Sequence, residues 1–455
     1  MSASPDTQLP RTTVSRIVVA SFIGSTVEWF DFFAYAVASA LVFPTLFFPG
    51  LSSVAATLAA FATFGVGFLS RPLGGVLMGH FGDRVGRKSM LVISLVGMGV
   101  ATAGIGLLPT YQQVGVLAPT LLVALRLLQG MAVGGEWGGA VLVAVEHAPP
   151  GRRGRYGGFV QMGIPAGVIL ANIAFLATSK TLSPASFQAW GWRIPFLLSA
   201  VLVVIGLIVR VSLTETPQFR AALAASQVTR LPILEVLRTD WRRVLLAAGT
   251  FVAPNAMSYI VITYSLSYAT TFLHLGRTTI IWMILAAAAV WLVVAGYAAA
   301  ISDRVGRRRV LLSCLAALAL WSLVYFALLD TRSTPLVLLA FVVSAALFGA
   351  ANGPQAALFA ELFDTQVRYS GISLAYQLGS ILGGGIAPLL ATALYGINST
   401  SLPVTAYLTL TCVLSFGCAL VISETGRRDL AVPSRAAAES PGPHPARAVS
   451  RFLDS

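Results

Sequence analysis

Apolar residues fall into twelve runs, each long enough to cross a hydrocarbon layer, which takes about 20 residues as a helix. The runs occupy 17–47, 53–79, 89–108, 116–147, 155–178, 190–212, 244–273, 278–301, 310–329, 335–361, 370–396 and 402–424. Helices are predicted for all of them, because a backbone in lipid must satisfy its own hydrogen bonds. Most of the polar connections are short. The exception, 213–243, carries Glu215, Arg220, Arg230, Glu235, Arg238, Asp240, Arg242 and Arg243, and reads as a cytoplasmic linker lying on the membrane surface. The chain thus divides into a cytoplasmic N-terminal tail (1–15), a first six-helix bundle (16–212), the linker (213–243), a second six-helix bundle (244–425) and a tail (426–455). That tail is rich in Ala, Ser, Pro and Arg, and disorder is expected there.

Composition sharpens this picture. Of the 455 residues, 56% are hydrophobic and 10% charged, with a mean hydropathy of +0.82. A soluble domain carries about 25% charged residues, so a water-exposed globule is excluded. The net charge is +13, but its placement speaks of topology rather than of nucleic acid. Of 30 Lys and Arg, Lys180, Arg193, Arg277 and Arg332 fall on one side, Arg71 and Arg126 fall within runs, and the rest lie in the termini and alternate loops of the other side. The positive-inside rule then places both termini in the cytoplasm of a cell inner membrane, with anionic lipids as secondary contacts. The first 15 residues lack an apolar core, so no cleavable signal is expected. Cys314, Cys412 and Cys418 all lie in apolar runs and suit neither a disulfide framework nor a zinc site.

The two halves echo one another. Asp83-Arg84-Val85-Gly86-Arg87-Lys88 follows the second run and Asp303-Arg304-Val305-Gly306-Arg307-Arg308 the eighth, 220 positions later. Glu146 precedes Arg155-Tyr156-Gly157, and Glu361 precedes Arg368-Tyr369-Ser370-Gly371, at offsets of 215 and 213. Two related bundles about an axis along the membrane normal fit this, with the site expected in a cleft between them.

Gly79-His80-Phe81-Gly82-Asp83-Arg84-Val85-Gly86-Arg87-Lys88 resembles the signature loop of the major facilitator superfamily. The second copy departs from it where Ala299 stands for the first glycine. Glu28-Trp29-Phe30-Asp31-Phe32, Trp190-Gly191-Trp192-Arg193-Ile194-Pro195-Phe196 and Glu215-Thr216-Pro217-Gln218-Phe219 narrow the similarity to the metabolite:proton symporter branch, which carries shikimate-like acids, ketoglutarate-like diacids and proline or betaine. The resemblance covers residues 16 to 425 and implies an all-α, twelve-helix major facilitator fold. It also implies a cytoplasmic gate made of Gly79, Asp83, Arg84, Gly86, Arg87, Lys88, Glu146 and Arg155, with Asp303, Arg304, Gly306, Arg307, Arg308, Glu361 and Arg368 from the second copy. There an Asp would meet a helix N-terminus, where the dipole favours an anion, and arginines would meet the glutamates. The bland alternative is a loop that only fixes topology, which does not require Gly and Asp at fixed spacing or a duplication.

Ionisable groups within a membrane are costly and usually functional. Glu28 and Asp31 are three apart and share a helix face, so they are the candidate proton carriers, Asp31 foremost; a structural acceptor role competes with this, most closely for Glu28. Arg126, in Arg126-Leu127-Leu128-Gln129-Gly130, resembles the superfamily's fourth-span motif and is placed within reach of Asp31. Either the two form a permanent ion pair, or protonation of Asp31 frees Arg126 for a solute carboxylate. Glu136 lies ten residues on, about 15 Å along the helix, too far to share the Arg126 site. The candidate solute-binding set is Arg126, Trp29, Tyr35, Gln129 and Glu136, joined from the second half by Asn255, Tyr259, Asn352, Gln355, Tyr376 and Gln377. Interhelical bonding explains the latter group equally well, and interfacial anchoring explains many of the aromatics.

No P-loop, metal cluster or catalytic constellation is legible, so neither an enzyme nor a cofactor is expected. The reading is a symporter that imports a small carboxylated metabolite with protons by alternating access. It is expected to act as a monomer in lipid, driven by the proton gradient. A proline/betaine osmolyte symporter is the alternative, and a drug/proton antiporter a weaker one. A sensor would need a signalling domain, and none is visible.

Overall fold

The computed structural model describes residues 11–426, apart from 86, 135, 150, 212–231 and 365–366; the side chains of 11–18, 79–91, 209–211 and 232–234 also lie outside the described set. Among the described residues there are helices and no strands. Twelve long helical segments can be numbered: α1 (Arg11–Leu41), α2 (Ser53–Val85), α3 (Arg87–Gly106), α4 (Leu117–Glu146), α5 (Arg153–Thr181), α6 (Ile194–Val211), α7 (Trp241–Phe272), α8 (Arg277–Val305), α9 (Arg307–Asp330), α10 (Thr334–Leu362), α11 (Arg368–Asn398) and α12 (Leu402–Val421). Among the described residues, α2 and α4 to α12 are long and apolar enough to span a membrane, and α3 contains a shorter apolar stretch, Val92–Gly106. Of the predicted linker, the described portion holds a short helix, Pro232–Thr239. The linker's remainder and both predicted tails fall mostly outside the described residues.

Hydropathy misses the irregular backbone. The run predicted at 17–47 is α1 followed by a separate short helix, Phe43–Phe47, with a proline in its first turn. α4 is interrupted after Val133, and α10 after Asn352, at Gly353-Pro354. Proline lacks the N–H that would continue the ladder, so the latter break follows from sequence. α7 widens into π turns at Ile260–Tyr264 and Tyr268–Phe272, and α11 at Ile381–Gly385.

The packing repeats. α1 lies against α5 and α6, α2 against α4, and α3 against α4 and α6; in the second half α7 lies against α11 and α12, α8 against α10, and α9 against α10 and α12. Adding six to each number converts the first set into the second. Contacts between halves obey the same rule: α5 meets α8 as α11 meets α2, and α4 meets α11 as α10 meets α5. The sequence echo is thus an echo of architecture.

Small residues set the closest crossing. A Cβ on Gly130 would strike the carbonyl of Gly67, and one on Gly134 the carbonyl of Arg71. Without side chains at these positions the backbones of α2 and α4 touch, as small-residue crossings in membranes allow. That crossing brings Arg71 and Arg126 to the same level of the bundle.

Candidate functional site

Glu28 of α1, Arg71 of α2 and Arg126 of α4 meet around one small cavity. Its volume is about 10 Å³, room for roughly one water. Glu28, Trp29, Phe32, Arg71, Arg126 and Gln129 line it, with Met98, Gly130 and Val133. This cavity lies within the first bundle, and in the expected cleft between the bundles the described residues pack closely. The physical reason is aromatic: Tyr259 of α7 stacks on Phe33 at 5.7 Å and packs against Phe32, Phe64 and Phe68, filling the space between the halves.

Arg126 is 1% exposed. Its guanidinium lies over the rings of Tyr35 (4.1 Å), Phe32 (4.5 Å) and Phe64 (5.0 Å), an arrangement that offsets part of its desolvation. It donates to Gln129 Oε1 at 2.5 Å and, at 3.5 Å, to the Phe64 carbonyl. Both acceptors are neutral. Asp31, fully buried, does not pair with it directly. Instead Gln129 Nε2 donates to Thr102 Oγ1 at 2.7 Å, and Thr102 Oγ1 donates to Asp31 Oδ2 at 3.1 Å. The second carboxylate oxygen, Oδ1, has no hydrogen-bond partner. The expected contact between Asp31 and Arg126 is thus a relay through an amide and a hydroxyl. Nothing in the sequence marks Thr102, because a lone Thr in an apolar helix is commonplace. Arg71, 2% exposed and over Phe32 (4.5 Å) and Phe68 (4.6 Å), was legible by the same argument as Arg126, a lone cation in an apolar run.

The remaining predicted binding residues divide. Tyr35 Oη donates to Thr63 at 2.7 Å while its ring supports Arg126. Tyr259 and Tyr376 lie close enough to sense the charges of Glu28 and Arg71, and the Tyr259 hydroxyl and Asn255 amide nitrogen have no partner. Glu136 instead accepts from Ser94 Oγ of α3 at 2.9 Å. Gln355 donates to the Thr250 carbonyl at 3.3 Å, Gln377 to the Gly134 carbonyl at 2.8 Å, and the Asn352 carbonyl accepts from Gln161 at 2.8 Å. Those four side chains or backbones serve helix packing. Gln377, Asn352 and the Tyr376–Trp137 stack (3.8 Å, 12°) also tie the two halves together.

At the end of the bundles predicted to be cytoplasmic, the second motif copy joins the two halves. Asp303 accepts from the backbone N–H groups of Gly154 (2.8 Å) and Arg155 (2.9 Å), at the start of α5. An anion is favoured at that helix end. Arg155 contributes its backbone, while its side chain is exposed. Arg307 pairs with Asp303 (2.7 Å) and Glu361 (3.3 Å), and Arg368 with Glu146 at 3.6 Å. Arg304 is exposed. Gly306 takes φ +105° between α8 and α9, a conformation other residues rarely adopt. Glu424, which the sequence reading passed over, accepts from the Arg307 (2.8 Å) and Arg308 (3.1 Å) backbone and so caps α9. In the first copy, Gly86 and the side chains of Gly79, Asp83, Arg84, Arg87 and Lys88 lie outside the described residues.

Comparison with known proteins agrees with this architecture. Residues 21–388 and 246–452 match the Major Facilitator Superfamily. The chain is 41% identical over 412 residues to an inner membrane metabolite transport protein of Escherichia coli K12, covering 89% of this chain and 94% of that one. It is 38% identical over 434 residues to the shikimate transporter of the same strain, covering 94% and 99%. Among solved structures, a proton:xylose symporter aligns with a TM-score of 0.72 at 17% identity, covering 92% of this chain and 98% of that one; that likeness concerns the fold.

Proposed function

The chain belongs to the Major Facilitator Superfamily, as a transport protein rather than an enzyme, and from that premise we propose that it imports a small carboxylated metabolite together with protons by alternating access. One observation carries the reading: buried Arg126 is bonded to a neutral amide and a carbonyl, and a relay of three hydrogen bonds through Gln129 and Thr102 connects it to buried Asp31. With Asp31 ionised, the first bundle contains a balancing negative charge. Protonation removes that charge and leaves the Arg126 field for an incoming carboxylate. Proton and anion then bind with mutual favour, and the favour is reciprocal by linkage. Glu28, on the same cavity wall, is the second protonatable group of the site. Relatives named for shikimate and other metabolites support a carboxylated solute. Solute exchange then needs the seals on either side of the cavity to open alternately: the Tyr259 aromatic cluster on one side, the Asp303 and Arg368 contacts on the other.

The test is uptake into proteoliposomes from a panel of organic acids with an imposed inward proton gradient. Accumulation that needs the gradient, and collapses with an uncoupler, is the expected result. Flux of every acid at the same rate with and without the gradient would remove the coupled mechanism.

A further inference from the structure

At the predicted outer end of the seam between the halves lies a contact that the mechanism above does not use. Arg277 is the first residue of α8, and Asp303 stands near the other end of the same helix. A cation in a first helical turn sits against its own helix dipole, so its placement calls for a partner elsewhere. The sequence of α1 supplies one. Pro44 lacks the N–H that would continue the ladder, and α1 stops at Leu41. The last carbonyls of a helix lack donors and form the negative end of its dipole. Arg277 Nη2 donates to the Leu41 carbonyl at 3.3 Å, from one half to the other. Its guanidinium also lies 5.1 Å from the ring of Phe187, a buried residue of the short helix Pro184–Ala189 between α5 and α6. Arg277 is half-buried, so these contacts are screened less than those of an open surface. The acceptor is firmly held: Phe43 and Phe47, just beyond Leu41, pack on Trp192, and Phe43 also stacks on Phe196. The other outer cations are placed differently. Arg193 donates to the Ala189 and Leu108 carbonyls of its own half. Lys180 is exposed and reaches only the rim ring of Trp282, at 5.9 Å. At the related seam of α2 and α11, Val54 lies beside Gly396.

We propose that Arg277 is the outer latch of the carrier: it holds that side shut by gripping the end of α1 and lets go when the side opens. The inference rests on the alternating-access reading and gives it a positioning residue at the end away from the Asp303 contacts. α1 is also the helix of Glu28 and Asp31, and Leu41 lies ten residues beyond Asp31, about 15 Å along the axis. Arg277 thus ties the helix of the candidate proton carriers to the opposite half. The nature of the acceptor suits a contact that must break. A carboxylate partner would be left as an ionised acid on release. A helix-end carbonyl passes to water, and so does the guanidinium, which leaves no unanswered charge in the apolar layer.

The experiment reads the outer end without any solute, in the full chain in nanodiscs, with Cys314, Cys412 and Cys418 replaced by Ser. Spin labels on Gln112→Cys, between α3 and α4, and Thr331→Cys, after α9, both exposed positions, report the distance across that end by double electron–electron resonance. Arg277→Gln is expected to raise the ratio of open to closed distances about ten-fold, the worth of one hydrogen bond to a charged group. Arg277→Lys, which keeps the charge, is expected to recover part of the closed population. Phe187→Leu, which removes the ring beside the guanidinium, is expected to give a smaller shift in the same direction. Arg193→Gln cuts two carbonyl bonds that stay inside the first half; it is expected to lower the melting temperature and leave the distances unchanged, which separates general damage from release of the latch. Wild-type distances in folded Arg277→Gln, or an equal shift in Arg193→Gln, would each overturn the inference. A wild type that keeps one distance both at this pair and at a cytoplasmic pair, Arg152→Cys with Arg309→Cys, with and without the organic acids of the uptake panel, would instead overturn alternating access itself.

Discussion

Replacing Asp31 by Asn tests the relay most directly. The amide keeps the shape of the carboxylate and can still meet Thr102, but it holds no charge and exchanges no proton. It mimics the protonated site permanently. Three hydrogen bonds, through the side chains of Gln129 and Thr102, separate the Asp31 and Arg126 charges, a path of about 10 Å at ordinary hydrogen-bond lengths. Coulomb attraction at that range, with an effective dielectric near 20, is about 1.7 kcal/mol. An anionic solute drawn to Arg126 should therefore bind Asp31→Asn at neutral pH roughly 15-fold more tightly than wild type, since 1.4 kcal/mol is ten-fold. In wild type, affinity should rise as pH falls through the titration of the site; in the variant this slope should flatten, leaving whatever Glu28 contributes. Calorimetry in nanodiscs between pH 5.5 and 8.5 measures both effects. Counterflow, which needs no net proton movement, should persist, while gradient-driven accumulation should vanish. A variant with the wild-type pH slope and unimpaired accumulation would refute the assignment of Asp31 as the coupling group.

Three further outcomes follow from the packing and the gate. Gly134→Ala places a methyl against the Arg71 carbonyl and the Gly75 backbone; overpacking of this kind costs about 1–3 kcal/mol, and a lowered melting temperature in detergent together with slowed transport would show it. Asp303→Ala removes the acceptor for two N–H groups at the start of α5, so a cysteine placed at Gln161 should label faster from the cytoplasmic side; an unchanged rate would mean that the capping contact does not hold that end shut. Glu424 gives a pH signature. Burial works against its charge, but N–H bonds from Gly426, Arg307, Arg308 and Thr425 outweigh burial and hold the carboxyl below its usual range. A depressed folded value means that its stabilisation is present above the unfolded value of about 4.3 and is lost as pH falls through the lower folded value. Melting curves of wild type and Glu424→Gln should accordingly differ at pH 6 and converge below pH 4.

The spans were legible because an apolar run of membrane length has few other uses, and the duplication because two charged loops repeat at nearly half the chain. The breaks in α4 and the π turns of α7 and α11 were not, since hydropathy records side chains and these are events of backbone hydrogen bonding. In the site, Glu28, Asp31 and Arg126 stood out as charges where charges are costly. Arg71 carried the same signal but sat beside Pro72 and near a charged loop, where a topological role also fits. Thr102 and Trp137 gave no signal, because their importance lies in what faces them across a helix crossing. Gln355 and Gln377 illustrate the converse: amides in apolar helices invite a ligand reading, and here their side chains bond to the carbonyls of Thr250 and Gly134.

The described gate charges of the second bundle largely answer one another. Arg307 finds Asp303 and Glu361, and its backbone finds Glu424, all in the second half. Should the bundles part, that cluster would travel as a unit with its guanidinium still paired, whereas Arg368 would give up Glu146 of the first bundle. Among the described residues, the contacts that would separate include two N–H bonds to Asp303, Arg368 with Glu146, Gln377 with Gly134, Gln161 with Asn352 and Arg277 with the Leu41 carbonyl, beside the ring contacts of Tyr376 with Trp137 and of Tyr259 with Phe32, Phe33, Phe64 and Phe68. At about 1 kcal/mol for each hydrogen bond, the polar share of this seam is worth a few kcal/mol, the scale on which a millimolar-affinity solute binds. A cargo of ordinary strength would thus match the polar share of the seam, and the ring contacts are the remainder that holds the halves together.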